Sequence, residues 1–308
     1  MALYGLFKGK GPSGFGWSST AEEVTAGLSL AGRTILLTGC TAGLGRETLR
    51  VLSLRGAKVI GTARTLEKAR AACDAAGAGR AVPLACELSD PVSVRACVAE
   101  VLRRGERLDA IVCNAGIMAL PTAERVHGIE LQLFTNHVGH FLLVTGLLDA
   151  LAEEGRVVVV SSDAHWRAPK GGVLLDDLGA QQSYSPWGHY GQSKLANILF
   201  ARELARRFAG TRRTANALHP GVIRTELGRH MPPVARVALA IAGPLVLKTI
   251  PQGAATETWL AVHPGAAGAT GGYWADCNPA PSRSEASDPT LAARLWEVTE
   301  RIAARLPR

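Results

Sequence analysis

The sequence predicts an α/β fold: one doubly wound domain whose mostly parallel sheet, of about seven strands, is flanked by helices. Three observations carry that expectation. Short aliphatic runs alternate with helical stretches along the 308 residues, which is the order of β-α-β units. Runs such as Val157-Val158-Val159-Val160 are apolar at every position, as strands covered on both faces must be. A glycine-rich turn joins the first aliphatic run to the first helical stretch, and right-handed crossovers then wind the chain into one sheet.

Residues 1–30 precede the first strand as an N-terminal extension. It is rich in glycine up to Trp17, and Ser19-Thr20-Ala21-Glu22 then has the spacing of a capping box, which starts a helix. Strands are expected at 34–38, 58–62, 81–85, 110–113, 156–161, 214–218 and 272–275. Helices are expected at 46–55, 66–76, 91–104, 128–151 and 192–208. The step Asp90-Pro91 is a good start for the third helix. The aspartate accepts from free N–H groups, and proline brings a pre-set φ to the first helical position. No repeat, long linker or composition shift divides residues 31–308, so they read as one domain.

With 47% hydrophobic and 19% charged residues, a disordered or acidic-tail protein is excluded. The net charge of +8 invites a nucleic-acid reading, but the basic residues are dispersed. Their densest group, Arg202, Arg206, Arg207, Arg212 and Arg213, has no interleaved aromatics to stack bases, so a solvated helix face and no nucleic-acid partner are expected. The cysteines (Cys40, Cys73, Cys86, Cys97, Cys113, Cys277) form no C-x-x-C pair, which excludes a zinc site or disulfide framework and indicates a reducing compartment. Cys86 and Cys113, in apolar runs, read as small buried hydrophobes. Residues 1–10 have no sustained apolar region, so a cytoplasmic location is expected. The most membrane-like stretch, 237–247, is interrupted by Pro244 and is far shorter than the roughly 20 residues of a spanning helix, leaving room only for peripheral contact.

The first strand runs into Thr38-Gly39-Cys40-Thr41-Ala42-Gly43-Leu44-Gly45. The spacing G-x-x-x-G-x-G meets the needs of a dinucleotide site: a tight turn, close backbone approach to a pyrophosphate, and a helix N-terminus aimed at the anion. A plain tight turn is the alternative, and the strand–turn–helix position favours the cofactor. Gly39, Thr41, Gly43, Leu44 and Gly45 are the candidate contacts. Where an NAD site usually places a carboxylate, the second strand ends at Thr62-Ala63-Arg64, with no acid before Glu67. A guanidinium suits a 2′-phosphate, so NADP(H) is favoured over NAD(H).

Tyr190 and Lys194 are spaced i,i+4, so they share a helix face. A phenol with a pKa of about 10 is a poor base near neutrality, and a fixed ammonium nearby favours its phenolate. The pair can move a proton to or from an alcohol oxygen. On its own Tyr-x-x-x-Lys also fits a solvated helix face.

In order along the chain stand Thr38–Gly45, Asn114-Ala115-Gly116, Asn136, Ser161-Ser162, Tyr190-x-x-x-Lys194 and Pro220-Gly221-Val222-Ile223-Arg224-Thr225. This series resembles the short-chain dehydrogenase/reductase family, with its Rossmann-type fold, over residues 30–305. Asn136-His137-Val138-Gly139-His140-Phe141, Tyr190-x-x-Ser193-Lys194-Leu195-Ala196-Asn197 and Phe15–Val24 are similar to its retinol-dehydrogenase-like branch, which includes WW-domain oxidoreductases and chloroplast-envelope relatives. The resemblance implies Tyr190 as general acid/base. Lys194 would assist it and bind the nicotinamide ribose, Ser162 would hydrogen-bond the substrate oxygen, and Asn136 would hold a relay water. Between the adjacent serines, the resemblance favours Ser162 over Ser161. It also places Asn114, Ala115 and Gly116, with Glu87 and Leu88, at the adenine and ribose side. Gly221, Ile223 and Thr225 fall on the nicotinamide side. Cys113 and Glu87 depart from the family's usual asparagine and aspartate, which bears on cofactor affinity and not on the reacting groups.

His137 and His140 have no acidic or cysteine partner at matching spacing, so they read as packing residues, and no metal is expected. His165 and His189 read as exposed loop residues. Asp163 beside Ser162 lacks a G-x-S-x-G elbow, which excludes a hydrolase triad. The resemblance thus implies an NADP(H)-dependent oxidoreductase interconverting an alcohol and its ketone or aldehyde. The apolar lid at 227–250 points to a lipophilic substrate. The alternative is a non-catalytic dinucleotide-binding sensor or scaffold, against which the retained Asn136, Ser162, Tyr190 and Lys194 argue. Nothing in the sequence signals an oligomeric state.

Overall fold

The computed structural model describes residues 9–77, 80–223 and 247–307. Its main sheet comprises β1 (Thr34–Thr38), β2 (Lys58–Ala63), β3 (Ala81–Ala85), β4 (Leu108–Cys113), β5 (Leu151–Val160), β6 (Thr214–His219), β7 (Tyr273–Ala275) and β8 (Asn278–Pro279). Their order is β8-β7-β6-β5-β4-β1-β2-β3. Every pair is parallel except β7–β8. The fold is thus the expected doubly wound one, with a short antiparallel eighth strand. That strand follows a two-residue turn in which Asp276 and Cys277 both take positive φ, +54° and +61°. Such turns usually carry Asn-Gly or Asp-Gly, so the sequence offered no sign of it.

The helices are α1 (Gly43–Leu54), α2 (Leu66–Ala75), α3 (Pro91–Arg103), α4 (Gly139–Gly146), α5 (Pro186–Arg207), α6 (Ala255–Val262) and α7 (Pro289–Arg305). Thr65, Asp90, Ser185 and Asp288 cap α2, α3, α5 and α7 through their side chains. Alternation along β1 divides the core in two. Leu36 faces the side covered by α3, α4, α5 and α7, and Ile35 and Leu37 face the side covered by α1, α2 and α6. From β1 the chain winds outward to β3, then returns to β4 on the opposite side of β1. That reversal opens a crevice at the strands' carboxyl ends, where ligands of such sheets bind.

Several expectations need correction. The single helix over 128–151 is instead a hairpin (Arg125–Val126 with Ile129–Glu130), one turn at Leu131–Leu133, a π turn at Phe134–Val138, and α4. β5 begins at Leu151 because β4 claims its backbone: Leu151 pairs with Leu108 and, past an irregularity, Arg156 with Ala110. α5 starts six residues early, at Pro186 behind its Ser185 cap. The N-terminal capping box closes on Thr20 and Glu23, one residue later than the spacing suggested. Residues of the extension dock on the sheet edge, where Ser13 N donates to Asn278 Oδ1 (3.0 Å) and Asn278 Nδ2 to the Phe15 carbonyl (3.0 Å). All six cysteines are free and buried. Of the arginine group, Arg206 and Arg207 are exposed and paired with buried Glu203, but Arg202 is half-buried and holds Gly271 O and Ser287. No helix among the described residues is long and apolar enough to cross a membrane.

Candidate active site

The crevice is organised around Thr38, the last residue of β1. Its Oγ1 accepts from the Asn114 and Ala115 amides (3.0 Å each) and lies 2.9 Å from His140 Nε2. Asn114 Nδ2 donates to the Thr38 carbonyl at 2.8 Å. The ends of β1 and β4 are thereby locked side by side. In the following loop Gly39 and Gly43 take φ of +71° and +53°. A Cβ on Gly39 would stand 2.9 Å from Ala115 Cα, and one on Gly45 would overlap the Gly39 carbonyl. Ala42, at the N-cap of α1, offers no side-chain acceptor to the helix's free N–H groups. Backbone this bare at a helix N-terminus fits a dinucleotide pyrophosphate. Thr41 is exposed beside it, and Leu44 is buried.

Arg64 is exposed at the end of β2. Glu87, half-buried, has Oε1 occupied by the Ser89 amide (3.2 Å) and hydroxyl (2.9 Å). Leu88 is buried under Gly139, where any Cβ would overlap the Leu88 carbonyl. Gly116 borders Asn136 and Lys194: a Cβ there would be 3.0 Å from Asn136 Oδ1 and 3.4 Å from Lys194 Nζ.

Tyr190 and Lys194 lie on one face of α5, both buried. Lys194 Nζ donates to the Val160 carbonyl at 3.0 Å and stands 5.6 Å from the Tyr190 ring centre. Asn197 Nδ2 bonds the same carbonyl at 3.1 Å, which stitches α5 to the end of β5. Ser161 Oγ is buried and donates to the Lys194 carbonyl. Ser162 is half-exposed and caps the turn Asp163–Arg167, accepting from Ala164 N at 3.1 Å. Gly191 lets that turn rest on α5, since a Cβ there would overlap the Ala164 carbonyl.

Asn136 sits in the π turn. Its Oδ1 accepts from Ile117 N (2.8 Å), and its Nδ2 donates to Ile117 O and Ser193 Oγ (2.9 Å each). Both amide hydrogens are used, and its main-chain carbonyl remains as a further acceptor. That carbonyl accepts from His140 Nδ1 at 3.0 Å, which makes Nδ1–H the tautomer and Nε2 the acceptor of the Thr38 hydroxyl. Burial, aided by the Lys194 charge, holds His140 down to about 4 against the opposing Asn136 bond.

His165 and His189 are buried, contrary to expectation. His165 packs edge-on to Tyr273 (5.0 Å between ring centres), and its Nδ1 donates to the Ser162 carbonyl (2.7 Å). His189 folds back within α5 onto Ser185. Beside Ser162, Asp163 gathers two polar partners, His219 and Tyr273, that the sequence did not single out. His219 Nε2 is 3.0 Å from Asp163 Oδ2, and Tyr273 Oη is 3.4 Å from Asp163 Oδ1. Burial pushes the Asp163 carboxyl up, but the His219 hydrogen bond and charge outweigh it and hold it below the usual range. Ser193, which fixes Asn136, stood in the sequence only as part of the branch motif and not as a site residue.

On the far side of the crevice Gly221 takes φ of +95° and Ile223 is buried. Thr225 and lid residues 227–246 lie outside the described residues. No cluster of three or more His, Cys, Asp or Glu fit for a metal occurs among the described residues.

The profile of the short chain dehydrogenase family matches residues 33–174. The chain is 39% identical to the protein named short-chain dehydrogenase TIC 32 B, chloroplastic, of Brassica napus, over 100% of both chains. It is 40% identical to retinol dehydrogenase 14 of Mus musculus, over 87% of this chain and 85% of that one. A crystal structure of an uncharacterised protein from Mycobacterium paratuberculosis superposes with a TM-score of 0.73 at 34% identity, covering 95% of this chain and 100% of that one. Sequence, sheet order and crevice agree: the chain belongs to the short-chain dehydrogenase/reductase family, in its retinol-dehydrogenase-like branch, whose chemistry is nicotinamide-dependent oxidoreduction of CH–OH groups.

Proposed function

We propose that the protein interconverts a lipophilic alcohol and its aldehyde or ketone, with NADP(H) as hydride carrier. The observation that carries this is the pairing of Tyr190 with Lys194 at the end of β5, beside the bare glycine turn after β1. The bound dinucleotide supplies or accepts the hydride at its nicotinamide ring. Ser162 Oγ donates to the substrate oxygen and orients the carbonyl. In reduction Tyr190 gives its hydroxyl proton to the developing alkoxide, and in oxidation its phenolate takes that proton. Lys194, fixed by Val160, stabilises the phenolate and reaches the ribose. The amide of Asn136 is spent on Ile117 and Ser193, so a relay water would share its main-chain carbonyl with His140 Nδ1–H, using the carbonyl's other lone pair.

Gly39, Thr41, Gly43, Leu44 and Gly45 hold the pyrophosphate. Glu87, Leu88, Asn114, Ala115 and Gly116 border the adenosine, and Gly221, Ile223 and Thr225 border the nicotinamide. Exposed Arg64, with no carboxylate before Glu67, favours a 2′-phosphate. The apolar sequence at 227–250 and the retinol named for one relative support a lipophilic substrate. Six free cysteines fit a reducing compartment such as the cytoplasm.

The test supplies NADPH and NADH with a panel of aldehydes and ketones and follows nicotinamide absorbance. Wild type turns over with NADPH, and Tyr190→Phe loses about 10²-fold or more while still binding it. Wild type and Tyr190→Phe equally inactive despite tight NADPH binding would establish the sensor or scaffold instead.

A further inference from the structure

We propose that residues 247–253 form a strap that sets the spacing between the two ends of the dinucleotide site, and that Lys248, ion-paired with Asp276, is its positioning residue. This rests on the dinucleotide-binding reading above.

Lys248 is only 1% exposed, yet it carries a charge. Its Nζ is 2.6 Å from Asp276 Oδ1 and 6.0 Å from the ring centre of Trp17, in the N-terminal extension. A buried ammonium is costly to desolvate, and its partner therefore fixes where it sits. The alkyl stem runs under Gly221, where a Cβ would lie 2.5 Å from Lys248 Cδ. The Lys248 amide donates to the Val222 carbonyl at 2.9 Å, and Lys248 bridges Ile223 in parallel. The nicotinamide-side loop is thus bound to the strap by backbone and by stem.

The strap's other end reaches the pyrophosphate side. Thr249 and Gln252 close a capping box on the short helix Ile250–Gly253, and Gln252 Nε2 donates to Ser18 O at 3.3 Å. Gly253 is wedged between the two loops: a Cβ there would overlap Ile223 Cδ1 and stand 2.7 Å from Leu44 Cδ2. Leu44 belongs to the first turn of α1, whose free N–H groups face the pyrophosphate. Contacts therefore run from Asp276 through Lys248, Ile223 and Gly253 to Leu44. The ion pair sets the strap's depth, and a stem held by apolar contacts alone could slide.

The experiment measures binding, not turnover, of NADPH and of its adenine-end fragment 2′,5′-ADP, with NADH and AMP as the pair if wild type prefers NADH. Lys248→Met removes the charge but keeps the stem. Gly253→Ala displaces Ile223 and leaves the ion pair alone. Both variants are expected to bind NADPH about tenfold or more weakly, with 2′,5′-ADP affinity changed by less than about twofold. If Lys248→Met does not fold, Gly253→Ala decides. Folded variants that weaken both probes equally, or neither, overturn the proposal. A wild type that binds NADPH but reduces no carbonyl defeats only the enzymatic reading, because the coupling is still measured.

Discussion

Ser161 Oγ donates to the Lys194 carbonyl oxygen at 2.7 Å, while Ser162, the next residue, points its Oγ into the half-exposed turn that follows. The backbone stays extended past the end of β5, and its alternation sends the two hydroxyls to opposite sides. Ser161 spends its hydroxyl proton on Lys194, whereas Ser162 accepts from Ala164 N and keeps its proton for another acceptor. Ser162→Ala is expected to lower kcat/KM about 10²-fold with an unchanged melting temperature. Ser161→Ala is expected to cost about 1 kcal/mol of stability and much less activity. Steady-state kinetics beside thermal melts separate the two, and the reverse pattern would exchange their roles.

Arg64→Ala tests cofactor choice. If the guanidinium meets the 2′-phosphate, KM for NADPH rises about tenfold or more and KM for NADH stays put, since a charge-assisted hydrogen bond is worth roughly 1.5–3 kcal/mol. Equal effects on both dinucleotides would remove Arg64 from the ribose site.

Acid stability should depend on two buried imidazoles. Burial, with His140 adding to it, holds His137 down to about 3, and His140 stays near 4, against the ordinary 6.5. The unfolded chain therefore takes up these protons first. Their contribution is complete above pH 6.5 and is lost as pH falls toward 4 and 3. Melting temperature should drop across that window. His137→Phe, among the rings of Phe141 and Phe200, should flatten the decline even though it loses the bond to Thr299. An unchanged slope would assign the acid lability to other groups.

Gly45→Ala should be disproportionately harmful for one methyl group. The Cβ would overlap the Gly39 carbonyl and crowd Asn114 Nδ2 at 2.5 Å. Overpacking of this kind costs about 1–3 kcal/mol, and here it also reshapes the pyrophosphate turn. Calorimetric titration with NADPH is expected to show binding lost while the protein remains folded. Wild-type affinity would place the pyrophosphate elsewhere.

Much of the architecture was legible because its determinants are local. Apolar runs marked the seven main strands, Asp90-Pro91 marked the start of α3, and a glycine turn marked the step from β1 into α1. The stretch 128–151 misled because its apolar residues have no helical break in composition. The π turn around Asn136 comes from bonds to Ile117 and Ser193, and the early start of β5 from pairing with β4. His165 and His189 were misread because burial depends on the elements that arrive over them, such as Tyr273 and Arg283 on His165.

The sequence alone determined the doubly wound sheet, the family and the identity of the candidate reacting residues, since periodicity, turn chemistry and motif spacing are written along the chain. Packing decided that the Asn136 amide is spent on structure, that Ser161 and Ser162 differ, and that Lys248 is buried against Asp276 beneath Gly221. These relations join residues from 19 to 57 positions apart. Hydrogen bonds and charges act over a few ångströms of space, and separation along the chain does not specify that distance until the sheet has closed.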